Sequence, residues 1–204
     1  ALPALQRAAR HARLLACPAE QLALLDMASR IAEQQGRTAL AFELLREAFD
    51  AHTQAMRRTS GAALLERLHR LARSPAQQAC ALRQGAWHAF VHGDLERAAT
   101  DARAALQGAE EAGDPDEQRA AMQLLGTVMG MSGRLYRGLE LMRQGEPWVE
   151  ARLPLAEQAT FHGNLASLLD NLGRHDQART RHERALFLAE TVASPSQHAT
   201  LLAN

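Results

Sequence analysis

The chain has 204 residues with 23 basic and 23 acidic side chains, so no net charge draws it to nucleic acid or an anionic membrane. Apolar residues make up 47% and aromatics only 4%, a palette rich in Ala and Leu that suits closely packed helices. Cys17 and Cys80 form neither a disulfide framework nor a zinc pattern and read as small hydrophobes in apolar surroundings. No apolar run approaches membrane-spanning length and no signal peptide opens the chain, so a cytoplasmic location is expected. Charge is uneven: residues 1–75 hold eleven Arg against seven carboxylates, residues 76–204 twelve against sixteen. An excess this small fits a solvated face better than a nucleic-acid footprint.

In chain order, residues 3–16 read as a first helix, with Leu5, Ala8, Ala9, Ala12 and Leu15 on one stripe. A second covers 18–35 and is ended by Gly36, and a third runs from Thr38 to about Arg57. Ser60 and Gly61 break it. A short basic helix follows over 62–73, with Leu64, Leu65, Leu68 and Leu71 on one side and Arg67, Arg70 and Arg73 on another. Paired helices are then expected at 75–92 with 95–112, at 115–131 with 134–145, and at 154–172 with 174–192; Pro195 opens one more. Pro18, Pro75, Pro115, Pro154 and Pro195 each suit a first helical position, where a missing N–H has no partner to lose. Ser74 and Ser194 read as N-caps, and Asp114 with Glu117 comes close to a capping box. No segment alternates as a half-buried strand would, so the fold class is all-α.

The second part of the chain repeats every 40 residues. Gly93, Gly133 and Gly173 are spaced so, as are Ala98, Gly138 and Ala178, then Ala105, Gly145 and Ala185, and Ala86, Gly126 and Ala166. The segment 159–164 returns at 199–204. A fixed period of this size marks a stacked array. The expected organisation is a degenerate front of about four helices over 1–73, then three regular hairpins and the first helix of a fourth over 74–204. Small residues at the crossings let paired helices approach, Gly at each turn provides a left-handed backbone, and Ala105, Gly145 and Ala185 let the next hairpin stack. Pro147 falls inside a second helix and should kink or restart it near Glu146. At the front, Gly36, Ala41 and Ala48 mimic the repeat spacing and would pair 18–35 with 38–57; strict alternation pairs 3–16 with 18–35 and 38–57 with 62–73, and is favoured by the nearest-neighbour logic of solenoids. The chain starts without Met and stops within a repeat, so an excised piece of a longer protein is expected.

The run from Asn164 through Gly173 to Ala178, followed by Glu183-Arg184-Ala185-Leu186, resembles a tetratricopeptide (TPR) repeat. Trp87, Gly93, Ala98, Ala105 and Leu106 match in the hairpin before last but one, and Leu125-Gly126, Gly133 and Gly138 in the next. The long period is similar to the branch found in kinesin light chains, Gram-positive peptide-pheromone receptors and the helical regions of bacterial transcriptional regulators. The resemblance implies a right-handed superhelical solenoid of antiparallel hairpins whose first helices line a concave face that binds an extended peptide or protein segment. The inner positions would be Arg83, Gln84, Trp87 and Phe90, then Gln123, Leu124, Thr127 and Gly130, then Gly163, Asn164, Ser167 and Asn171, with Asn204 repeating Asn164. An Asn amide both donates to and accepts from a peptide backbone, Arg83 could pair with a ligand carboxylate, and Trp87 could anchor an apolar group.

Chemistry of other kinds is poorly signposted. His88 and His92 have a metal-compatible spacing but no third ligand, so no metal and no cofactor are assigned. His175 and His182 occupy places where family members carry aromatics and read as packing residues. No nucleophile elbow, phosphate loop or Cys/His pair is present, so no catalytic residue is nominated. The expectation is a non-catalytic protein- or peptide-binding module, the sensing or docking region of a larger bacterial regulatory or signalling protein. The alternatives are the regulatory arm of a signalling enzyme, such as a cyclic-dinucleotide synthase whose catalytic domain lies elsewhere, and a small-ligand receptor. Helix 195–204 should expose an apolar face, which would support a homodimer of the isolated piece.

Overall fold

Starts, stops and apolar stripes of the sequence resolve into ten α-helices in a computed structural model that describes residues 1–15, 17–54 and 61–192. They are α1 Leu2–Leu14, α2 Pro18–Gln34, α3 Thr38–Gln54, α4 Gly61–Leu71, α5 Pro75–Val91, α6 Leu95–Ala112, α7 Pro115–Met131, α8 Leu135–Arg152, α9 Leu155–Asn171 and α10 His175–Val192. No strand occurs among the described residues. Pro195, Asn204, the fourth hairpin's first helix and the expected end of the third helix near Arg57 lie outside them.

The helix starts follow the local chemistry. At α5 the Ser74 hydroxyl accepts from the Gln77 amide while the Gln77 side chain accepts from the Ser74 amide, a reciprocal cap. Asp94 and Asp114 cap α6 and α7 by accepting the amides of Arg97 and Glu117. Pro154 differs from expectation: it is the capping residue, and Leu155 is the first helical one. Gly36, Gly93, Gly133 and Gly173 all take positive φ, between 69° and 82°, at the tight turns after α2, α5, α7 and α9.

Helix α8 corrects a second expectation. It runs through Pro147 without restarting. Proline forfeits one intrahelical bond there, and nearby the Gln144 carbonyl accepts from Arg119 Nη1 of α7 at 3.4 Å. The α8–α9 junction beyond is the least extensive contact between consecutive helices from α5 to α10.

Helices two apart in sequence lie side by side. Gln84 Nε2 of α5 donates to Asp50 Oδ1 of α3 at 2.9 Å, Arg83 of α5 pairs with Glu117 of α7, and a Cβ on Gly130 of α7 would meet Leu168 of α9. In the other row Arg67 of α4 binds Asp26, Ser29 and Glu33 of α2, and Arg143 of α8 donates to Gln177 of α10 at 3.1 Å. Odd- and even-numbered helices thus form two rows, as strict alternation requires. Within the front, however, α2 packs more extensively on α3, across the Gly36 turn, than on α1. The Arg67, Arg83 and Arg143 links each span 34 residues, six short of the repeat. Neighbours in a row are therefore staggered by about 9 Å at 1.5 Å per residue, the signature of a solenoid that winds.

The core is a series of clusters. Phe42, Phe49, Leu25, Leu45 and Leu68 centre the first, Met122, Leu125 and Val128 the second, and Phe161, Leu165 and Leu169 the third. Trp87 packs against both the first and the second. At the small-residue crossings Ala86, Ala98, Ala166 and Ala178 are fully buried. Gly126 and Gly138 face each other, and a Cβ on Gly138 would lie 2.7 Å from the Gly126 carbonyl oxygen and 2.9 Å from the Gly130 nitrogen. Gly145 differs: a Cβ there meets nothing within 4 Å, so stacking does not require glycine at that position.

Candidate functional site

A cleft of about 230 Å³ opens between α5, α7 and α9. Trp87 and Phe90, with ring centroids 5.6 Å apart, form one wall. Gly130, Met131 and Leu168 line it further, with Met142 from α8, and Thr127, Thr160, Asn164, Ser167 and Asn171 add polar groups. No ionisable side chain lines it. The repeat explains the set: 87, 127 and 167 are one register position in successive hairpins, and 131 and 171 are another. Met131 follows from that period once Asn171 is named. Met142 and Thr160 carry no such signal, because Met142 enters from a second helix and Thr160 lies a turn before Asn164.

The polar groups in the cleft divide by chemistry. Thr127, Thr160 and Ser167 each donate to the carbonyl four residues earlier, at 3.0–3.1 Å. Their protons are engaged and their lone pairs remain as acceptors. Asn164 and Asn171 make no side-chain hydrogen bond to any described residue, so each amide can donate and accept.

Other expected inner positions are held within the scaffold. Arg83 is ion-paired with Glu117, both side chains mostly buried. Burial alone would depress the Arg83 pKa, but the adjacent Glu117 charge and hydrogen bond outweigh it and hold the pKa above its ordinary value. Arg83 therefore has its carboxylate already. Gln84 is buried with its amide on Asp50, and Leu124, its register mate, is also buried. Gln123 is half-buried, its carbonyl accepting from Thr127, and lies outside the cleft. Gly163 carries open space where a Cβ would stand.

The remaining nominated side chains fall elsewhere. His88 and His92 stack at 4.2 Å, with His92 Nδ1 bonded to the His88 carbonyl at 2.8 Å. His175 and His182 are exposed rather than packed; both rings bind Asp170, at 3.1 and 3.2 Å, and hold its carboxyl below the usual range. Cys17 is exposed, against expectation, while Cys80 is buried and its thiol is pushed up to about 12, chiefly by burial.

Two buried ring nitrogens, His88 Nε2 and His162 Nε2, have no hydrogen-bond partner among the described residues. Burial is the main cause holding both pKa values below the ordinary value, reinforced by His92 and His52 at His88 and by Arg181 at His162. The unfolded chain then binds protons more readily, so this contribution to stability is complete above about pH 6.5 and is lost as pH falls from there towards the folded values. Melting by circular dichroism is expected to be flat from pH 8 to 7 and to shift downward from pH 6.5 to 5.5. His162→Phe should make that slope shallower; an unchanged slope would refute the assignment.

No family model and no curated protein matches the sequence. Solved structures do match. A Podosopora anserina protein titled as a kinesin light chain with nearly identical TPR-like repeats superposes with a TM-score of 0.65 at 15% identity, covering 95% of this chain and 97% of that one. MamA of RS-1, as the ArsTM double mutant, gives 0.57 at 15% identity, covering 93% and 95%. BtubC (BKLC) from P. vanneervenii gives 0.54 at 17% identity, covering 95% and 74%. The fold is an all-α, TPR-like solenoid.

Proposed function

We propose that this TPR-like solenoid is a non-catalytic docking module that holds an extended protein or peptide segment in the cleft between α5, α7 and α9. The observation that carries the reading is the juxtaposition of an apolar wall at Trp87 and Phe90 with the free amides of Asn164 and Asn171 and the acceptor hydroxyls of Thr127 and Ser167. An aromatic wall with a few convergent polar groups suits a bulky side chain flanked by peptide backbone. Such a segment supplies a backbone N–H to the hydroxyls and a carbonyl and N–H to the amides. A role inside a larger bacterial regulatory or signalling protein fits this activity, since docking requires no chemistry of the module itself.

The test is selection of displayed random dodecapeptides against the chain, followed by fluorescence anisotropy. Ser167 is exposed at the cleft and its side chain bonds only to its own helix. Ser167→Trp is therefore expected to fill the cleft and reduce affinity for the selected peptides at least tenfold without shifting the melt. Asn164→Ala should cost about 1–2 kcal/mol of binding. Peptides that bind Ser167→Trp as well as the parent would place docking elsewhere.

A further inference from the structure

Upstream along the same row of helices lies a second depression of about 340 Å³, between α3, α5 and α7. Four carboxylates line it, Glu43, Asp114, Asp116 and Glu117, against a single cation, Arg46. Asp114 is engaged at the α7 cap, Glu117 pairs with Arg83, and Glu43 shares Arg46 with Asp50. Asp116 has no ion pair among the described residues. The two depressions occupy one face. Ala76 and Trp87 on α5 are eleven residues apart, as are Asp116 and Thr127 on α7, close to three whole turns at 3.6 residues each. Each pair therefore stands on the same side of its helix, about 16 Å apart along the axis. The groove has a polarity: an acidic end at the starts of α5 and α7 and an uncharged apolar end towards their finishes.

We infer that the docked segment is a basic–apolar peptide, with a Lys or Arg at the acidic end and a bulky aliphatic or aromatic side chain between Trp87 and Leu168. This rests on the docking reading above and adds the partner's chemistry. An extended chain covers about 16 Å in five residues at roughly 3.3 Å each, so the cation and the apolar side chain should stand about four to six residues apart. An acidic partner is disfavoured twice: the upstream end repels it, and Arg83, between the two ends, already has Glu117.

The dodecapeptides selected on the full chain supply the probes. Enriched sequences are expected to carry Lys or Arg four to six positions from Phe, Leu, Ile or Met. Labelled winners should bind Glu43→Gln/Asp116→Asn about three- to tenfold more weakly than the parent, since each exposed ion pair contributes roughly 0.2–1 kcal/mol. The same peptides with the cation changed to Gln should not distinguish the two proteins, and unchanged melts show that the variants are folded. Winners blocked by Ser167→Trp but lacking the basic residue, or insensitive to the double substitution, would overturn this inference and leave the docking reading standing. Absence of any winner blocked by Ser167→Trp would overturn both.

Discussion

Gly138→Leu is expected to lower stability by about 3 kcal/mol or more, and Gly138→Ala by about 1–2 kcal/mol. Alanine favours a helix interior over glycine by about 1 kcal/mol, so the sign alone is informative. At Gly138 the added carbon would press on the backbone of Gly126 and Gly130, which has no rotamer to change. The two helices must separate, and because Gly126 faces Met142 as well as Gly138, the disturbance spreads along the α7–α8 contact. Stability in a stacked array is close to a sum of local interfaces, so hydrogen exchange should quicken first in α7 and α8. Gly145→Ala in the same helix is the control. With nothing within 4 Å of the new carbon, it should stabilise by about 0.5–1 kcal/mol. Melts in which both substitutions moved the same way would refute the close-approach account.

Glu117→Ala should be the most damaging change to a charged residue, at about 2–4 kcal/mol. The Arg83 and Glu117 side chains are only 21% and 11% exposed, so losing the carboxylate leaves a largely desolvated guanidinium without a counter-charge. Arg83→Leu/Glu117→Leu should recover most of the loss, because removing both charges also removes their desolvation penalty. A chemical-denaturation double-mutant cycle reads the coupling directly; single variants within 0.5 kcal/mol of the parent would refute it. The pair also ties α5 to α7. Its loss should widen the spacing of Trp87 and Thr127 and weaken peptide binding at a cleft it does not touch.

These two sites mark where sequence reading succeeds and where it stops. That position 138 must be small follows from its alignment with Ala98 and Ala178. That it must be glycine does not, because the backbone opposite is specific to this crossing. Arg83 presents a similar limit. Its place on the inner face is legible from the period, yet whether its charge is free depends on Glu117, a helix away. The same holds for Gln84 and Asp50. The continuity of α8 through Pro147 and the exposure of His175 and His182 were likewise decided by neighbours rather than by local pattern.

The amino-acid sequence by itself determined the all-α class, the 40-residue period, and nearly every helix start and turn. These follow from interactions within a few residues, such as the Ser74 cap, the prolines at α2, α5 and α7, and the glycines at left-handed turns. Only the tertiary structure decided which inward polar groups are bound and which are free. It also set the stagger that pairs residues 34 apart within a 40-residue repeat. Those outcomes are contacts between helices two apart, and a desolvated charge or amide takes whatever partner the winding of the solenoid brings to it.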